Sequence, residues 1–115
     1  MPRFVVLEHD YPERHWDFML QAGDALRTWR LAAPPQRGTP VMAEASFDHR
    51  LMYLDYEGPV SGNRGQVVAW DRGTYEEEAG STAQHVVVRL HGTRLEGKAT
   101  LQQAASREWL LLLEG

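Results

Sequence analysis

The sequence predicts an all-β protein, a small antiparallel β-barrel with little helix, and three observations carry that prediction. Roughly seven or eight short β-type runs alternate with Gly, Pro, Asn and Asp turn residues. No segment carries a long apolar stripe at helical spacing. So many short strands in 115 residues must close up or stack to hide their unpaired edges.

Taken in order, Phe4 to Leu7 is a continuous apolar run between Pro2 and the His9-Asp10-Tyr11-Pro12 turn. Trp16 to Leu20 and Ala25 to Leu31 flank Gln21-Ala22-Gly23-Asp24, whose Gly-Asp pair favours a hairpin. Leu31 to Pro40 holds three prolines and reads as a long loop. At most Ala43-Glu44-Ala45 or Gln102 to Ala105 makes a turn of helix, and Leu51 to Tyr56 is a strand candidate ended by Gly58-Pro59. Gln66 to Trp70 is a strand, and Asp71-Arg72-Gly73 is expected to turn it towards Thr74. Glu76 to Ser81 is polar and self-repelling, a loop. Gln84 to Leu90 carries the β-branched run Val86 to Val88. His91-Gly92-Thr93 turns it into Arg94 to Leu101, and Trp109 to Leu113 is the last apolar run.

Composition narrows the function. With 43% apolar, 24% charged and 10% aromatic residues, the chain is ordinary for a globular protein. One domain over residues 1–115 is expected. Lys+Arg of 12 against Asp+Glu of 16, a net charge of −4, excludes a general nucleic-acid coat, which needs a large positive excess. It leaves room for a local grip on one nucleic-acid end. Zero cysteines exclude disulfides, thiolate metal sites and cysteine nucleophiles. The N-terminal apolar run is too short for a signal peptide, and nothing approaches the roughly 20 apolar residues of a membrane span. A cytoplasmic monomer without membrane contact is expected.

The densest group of ligands is His9, His15 and Asp17. In a strand His15 and Asp17 share one face, while Trp16 and Phe18 share the other and should meet the core. An imidazole and a carboxylate side by side can hold a divalent cation, and His9 could close a three-ligand site with positions left open for water or substrate. A surface hydrogen-bonded His-x-Asp pair is the structural alternative. The second group is Asp48-His49-Arg50 with Tyr53, an imidazole and a phenol suited to an anionic substrate. His49 exposed in a loop, with Tyr53 packed into a sheet, is the bland reading. His85 and His91 border strands and are expected to sit exposed or make a local backbone hydrogen bond. Trp29, Trp70 and Trp109 read as core or barrel-wall residues and not as base-stacking platforms, since no basic residues interleave with them.

The run Val5-Val6-Leu7-Glu8-His9, followed by Arg14-His15-Trp16-Asp17-Phe18-Met19-Leu20, resembles the opening motif of the 3′-phosphoesterase module of bacterial DNA ligase D. The likeness continues through Leu26 to Trp29, through Asp48-His49 with Tyr53, Asp55 and Glu57-Gly58, and through Val67 to Thr74. Leu90-His91-Gly92, Leu95-Glu96-Gly97 and Trp109-Leu110-Leu111 complete it. Six collinear blocks span essentially the whole chain.

The resemblance implies a compact barrel with one divalent ion at its mouth, Mn²⁺ in the first place and Zn²⁺ in the second. It implies removal of a 3′-phosphate or a 3′-ribonucleotide from a DNA or DNA–RNA end, leaving a hydroxyl for a separate ligase or polymerase. His9, His15 and Asp17 become the metal ligands, His49 the acid–base residue beside the phosphate, and Tyr53 its neighbour. The chain departs from the family where Met19 and Val41 replace arginines. Arg50 and Arg14 are the nearest substitutes for phosphate contact. Those departures and the net charge support a second reading, a catalytically weak relative that binds a nucleic-acid end or a repair partner. A third, a small cupin-like non-haem iron site, rests on the His-x-Asp pair plus a distant histidine.

Overall fold

A computed structural model describes residues 1–114. Ten strands follow in chain order: β1 (Arg3–His9), β2 (His15–Ala22), β3 (Ala25–Leu31), β4 (Val41–Ala45), β5 (His49–Arg50), β6 (Gly58–Pro59), β7 (Gln66–Glu77), β8 (His85–Gly92), β9 (Glu96–Ala105) and β10 (Glu108–Glu114). A short 3-10 helix, Leu51–Leu54, separates β5 from β6. Strand pairing runs β1-β2-β3-β4-β10-β9-β8-β7, and β7 pairs back on β1. The eight long strands therefore form a closed antiparallel barrel, as the strand count predicted.

Period-two alternation sorts each strand into two faces. Phe4 and Val6 of β1, Phe18 and Leu20 of β2, and Trp29 and Leu31 of β3 join Val88, Leu90, Leu101, Trp109 and Leu111 in the barrel interior. Trp29 meets Phe18 and Trp109 edge-on at centroid distances of 6.3 and 5.5 Å, an arrangement that favours aromatic pairs beyond simple burial. The opposite face of β1, β2, β3 and β7 is also buried. Val5, Leu7, Met19, Leu26 and Val67 form a second cluster there with Leu54 of the 3-10 helix. This explains why Phe4 to Leu7 is apolar without alternation.

What covers that face is the segment from Ser46 to Gly65. It begins beside β3, where Leu26 pairs with His49 in β5. It ends on β7, where Gly58 pairs with Val67 in β6. Between those anchors it crosses the outer face of β2 and β1. A bidentate Arg3–Asp55 pair at 2.7 and 3.1 Å and a bond from Arg72 Nε to the Leu54 carbonyl at 3.1 Å hold the helix down.

Several local expectations are corrected. Leu51–Leu54 is 3-10 helix rather than strand, because Leu54 packs into the second cluster while Asp55 N closes the turn onto the Met52 carbonyl. Ala43–Ala45 and Gln102–Ala105 are strand, paired with β10 and, for Ala43–Ala45, also with β3. Asp71-Arg72-Gly73 does not turn. It continues β7 past a bulge opposite Val6/Leu7. There the buried Asp71 carboxylate accepts the N–H groups of Thr93, Arg94 and Leu95 at 2.9, 3.1 and 2.7 Å, making the β8–β9 turn. Strand β7 also extends to Glu77, beyond the expected start of the polar loop.

Candidate metal centre

The β1–β2 hairpin builds the site. Its register sets His9 directly opposite His15 and Leu7 opposite Asp17, and the two imidazoles meet edge-on with centroids 4.9 Å apart. Ligand atoms of His9, His15 and Asp17 all lie within 4.8 Å of one another. His15 and Asp17 are each 5% exposed, on the same face as Met19 and opposite Phe18, as the strand period required. The group sits at the barrel's rim, where β1 ends and β2 begins, on the wall's outer side beneath the Ser46–Gly65 segment.

Backbone carbonyls fix the orientation of each ring. His9 Nε2 donates to the Arg64 carbonyl at 2.8 Å, and His15 Nδ1 donates to the Glu13 carbonyl at 2.9 Å. A carbonyl only accepts, so those nitrogens carry the protons. The remaining nitrogens, His9 Nδ1 and His15 Nε2, then turn toward Asp17 Oδ2 at 3.9 and 3.2 Å. Metal-ligating histidines are commonly oriented by such a partner on the second nitrogen. Two nitrogen acceptors and a carboxylate converging without a donor of their own are the donor set of a divalent ion, so the residues fit a metal. Burial lowers the His15 pKa, but the bond that a protonated Nε2 donates to Asp17, with that carboxylate's charge and the Glu13 carbonyl, outweighs it and raises the value above the ordinary histidine range.

Gly65 lets the covering loop close on the hairpin. It has a φ of +75°, and a Cβ there would lie 2.2 Å from Asp10 Oδ1, the atom that accepts Gln66 N–H at 2.8 Å. This close approach brings the Arg64 carbonyl to His9.

A cavity of about 360 Å³ opens over the three ligands and is also lined by Met19, His49, Arg50 and Tyr53. The two candidate groups of the sequence thus share one cavity. His49 Nδ1 donates to the Phe47 carbonyl at 3.0 Å, with Thr28 Oγ1 also 3.0 Å away. Its Nε2 is left for the cavity. Tyr53 meets His49 edge-on at 5.8 Å. Arg14 pairs with Glu8 at 2.9 Å and lines the neighbouring groove with Arg30. Val41 packs inside the barrel, away from the cavity. Among the other histidines, His85 bonds the Gln102 side chain and His91 bonds the carboxylates of Glu76 and Glu96 at 2.8 and 2.9 Å, cross-strand side-chain contacts rather than local backbone bonds.

Sequence reasoning missed Arg30, Arg64, Phe47 and Tyr11, which also line the cavity. Arg30 is legible only through register, since its Cα is the cross-strand partner of Asp17. No helix among the described residues is long and apolar enough to cross a membrane.

Comparison with known proteins agrees with the motif reading. The model of the DNA ligase D 3′-phosphoesterase domain matches residues 7–103. The chain is 33% identical over 115 residues to the multifunctional non-homologous end joining DNA repair protein LigD of Mycobacterium tuberculosis, covering 93% of this chain and 15% of that protein. It is 29% identical over 123 residues to LigD of Pseudomonas aeruginosa, covering 96% of this chain and 15% of the relative. The match thus corresponds to a small part of each relative and nearly all of this sequence. Since the family match contains the ligand hairpin, the His49 segment and the barrel strands that hold them, the chain belongs to the DNA ligase D 3′-phosphoesterase domain family.

Proposed function

We propose that this protein is a metal-dependent 3′-phosphoesterase that trims DNA or DNA–RNA ends during end joining, removing a 3′-phosphate or a 3′-ribonucleotide. The observation carrying the reading is that the His9/His15/Asp17 group and His49 line one cavity. A bound divalent ion, Mn²⁺ by preference, would polarise a phosphoryl oxygen and lower the pKa of water. His9, His15 and Asp17 hold it. His49, anchored through Nδ1, presents Nε2 to the phosphate ester and moves the proton, while Tyr53 walls its edge. Arg30, Arg50 and Arg64 supply the positive charge that Met19 and Val41 do not, which suits a phosphate better than neutral contacts would. These local cations reconcile a net charge of −4 with a phosphate substrate. A ligase that seals the resulting 3′-hydroxyl is the expected working partner.

Phosphate release from a 3′-phosphate duplex with Mn²⁺ tests the reading. Wild type is expected to leave a 3′-hydroxyl, and His49→Ala to lose about 100-fold or more in rate. If wild type binds metal and duplex ends but releases no phosphate, the chain is an end-binding module, the alternative that the two apolar replacements favour.

A further inference from the structure

We propose that Phe47 is a stacking platform for the terminal nucleobase of the strand whose 3′-phosphate enters the cavity. The inference rests on the phosphoesterase reading and adds to it the part of the substrate that the reading leaves unrecognised.

Phe47 is 70% exposed, an unusual place for a phenyl ring in a barrel this small. It is not a loose loop tip. Ser46 N donates to the Thr28 carbonyl at 3.0 Å, and the Phe47 carbonyl accepts His49 Nδ1–H at 3.0 Å. The backbone is therefore tied on both sides of an outward-pointing ring. That ring lies parallel to the His49 imidazole, with 6° between planes and 4.7 Å between centroids. One face is used by His49, and the exposure leaves the other open at the rim of the metal cavity.

A nucleobase is separated from its own 3′-phosphate by a single sugar, so a phosphate over the ligand group carries its base to the cavity rim. There a planar aromatic face meets any of the four bases, because every base has a π-face. The stack would run base, Phe47, His49. Substrate position would thereby be coupled to the ring that moves the proton. Tyr11, 44% exposed and also lining the cavity, offers a second apolar contact from the β1–β2 loop.

The structure thus points to an enzyme that requires a base on the terminal nucleotide but does not read which base it is. The test compares 3′-phosphate duplexes ending in a normal nucleoside, in 2-aminopurine or in an abasic sugar, with wild type, Phe47→Ala and Phe47→Trp. Stacking on an aromatic side chain corresponds to roughly 5- to 150-fold in binding. The abasic end is expected to bind at least fivefold more weakly than the normal end to wild type, and equally well to Phe47→Ala. The 2-aminopurine fluorescence should be quenched by wild type and Phe47→Trp and not by Phe47→Ala. Mn²⁺ binding by calorimetry should be the same in all three.

If Phe47 merely held His49 in place, Phe47→Ala would slow normal and abasic ends by the same factor through kcat, with KM unmoved, and the proposal would be wrong. Equal handling of abasic and normal ends by wild type would also overturn it while leaving the phosphoesterase reading intact. Failure of wild type to bind any 3′-phosphate end, with metal bound, would remove both.

Discussion

His15 Nε2 faces Asp17 Oδ2 across 3.2 Å while its Nδ1 is committed to the Glu13 carbonyl, so a neutral His15 meets the carboxylate lone pair to lone pair. Two acceptors at that separation need a proton or a cation between them. This is why His15 holds a proton above its ordinary range despite burial, and why a divalent ion would enter by displacing that proton. A pair kept apart from water in this way is poised for a ligand, whereas an exposed His-x-Asp pair would simply be solvated.

The Arg64 carbonyl orients His9 only because Gly65 allows it. Gly65→Ala places a Cβ at positive φ against Asp10 and Tyr11. It is expected to cost about 1–3 kcal/mol of stability and to weaken Mn²⁺ binding about tenfold through the displaced carbonyl. Urea unfolding and calorimetry check both. Unchanged metal affinity would show that His9 needs no such support.

Asp71 contributes to the barrel rather than to the chemistry. Asp71→Ala leaves the amides of Thr93, Arg94 and Leu95 without their acceptor and is expected to destabilise by about 2–4 kcal/mol. Asp71→Asn should recover part of the loss. Equilibrium denaturation measures it, and a loss under about 0.5 kcal/mol would contradict the assignment.

Arg30 and Arg14 separate by position. Arg30 lines the cavity and Arg14 faces Glu8 beside it. Arg30→Gln is expected to lower kcat/KM for 3′-phosphate release by about 10- to 100-fold, and Arg14→Gln by less than about threefold. The reverse order would move the phosphate into the neighbouring groove.

His91 titrates high because Glu76, and after it Glu96, bond its two nitrogens. Its folded pKa lies above the ordinary 6.5. The stabilisation it adds is therefore fully present below about 6.5 and fades as pH rises through the folded value. Histidine NMR should show this, with Glu76→Gln lowering the midpoint. A midpoint at or below 6.5 would show that the two carboxylates do not hold the ring.

How much of this was legible follows from the range of each interaction. The period of two placed His15, Asp17 and Met19 on one face and Phe18 on the other without any knowledge of partners. His9, at the end of the preceding run, was close enough along the chain to join that pair, and the motif blocks then tied the separate His49 group to the same site. Leu51 to Tyr56 misled because a short, nearly continuous apolar run reads as a strand, while packing of Leu54 into the second cluster curls Leu51–Leu54 into 3-10 helix. Asp71-Arg72-Gly73 has the residues of a turn, yet pairing with β1 and β8 keeps it extended. Arg30 lies between Trp29 and Leu31 like any outward strand residue, and only the register with β2 brings it to Asp17.

Titration of the metal-free protein with Mn²⁺, wild type against His15→Ala, tests most directly whether His9, His15 and Asp17 hold the ion. Calorimetry near neutral pH should show one ion per wild-type chain, with affinity falling as pH drops through the raised His15 value, which lies above the ordinary 6.5, because the ion must displace that proton. His15→Ala should lose stoichiometric binding. A His15→Ala variant that binds Mn²⁺ as tightly as wild type would place the metal elsewhere and contradict the site.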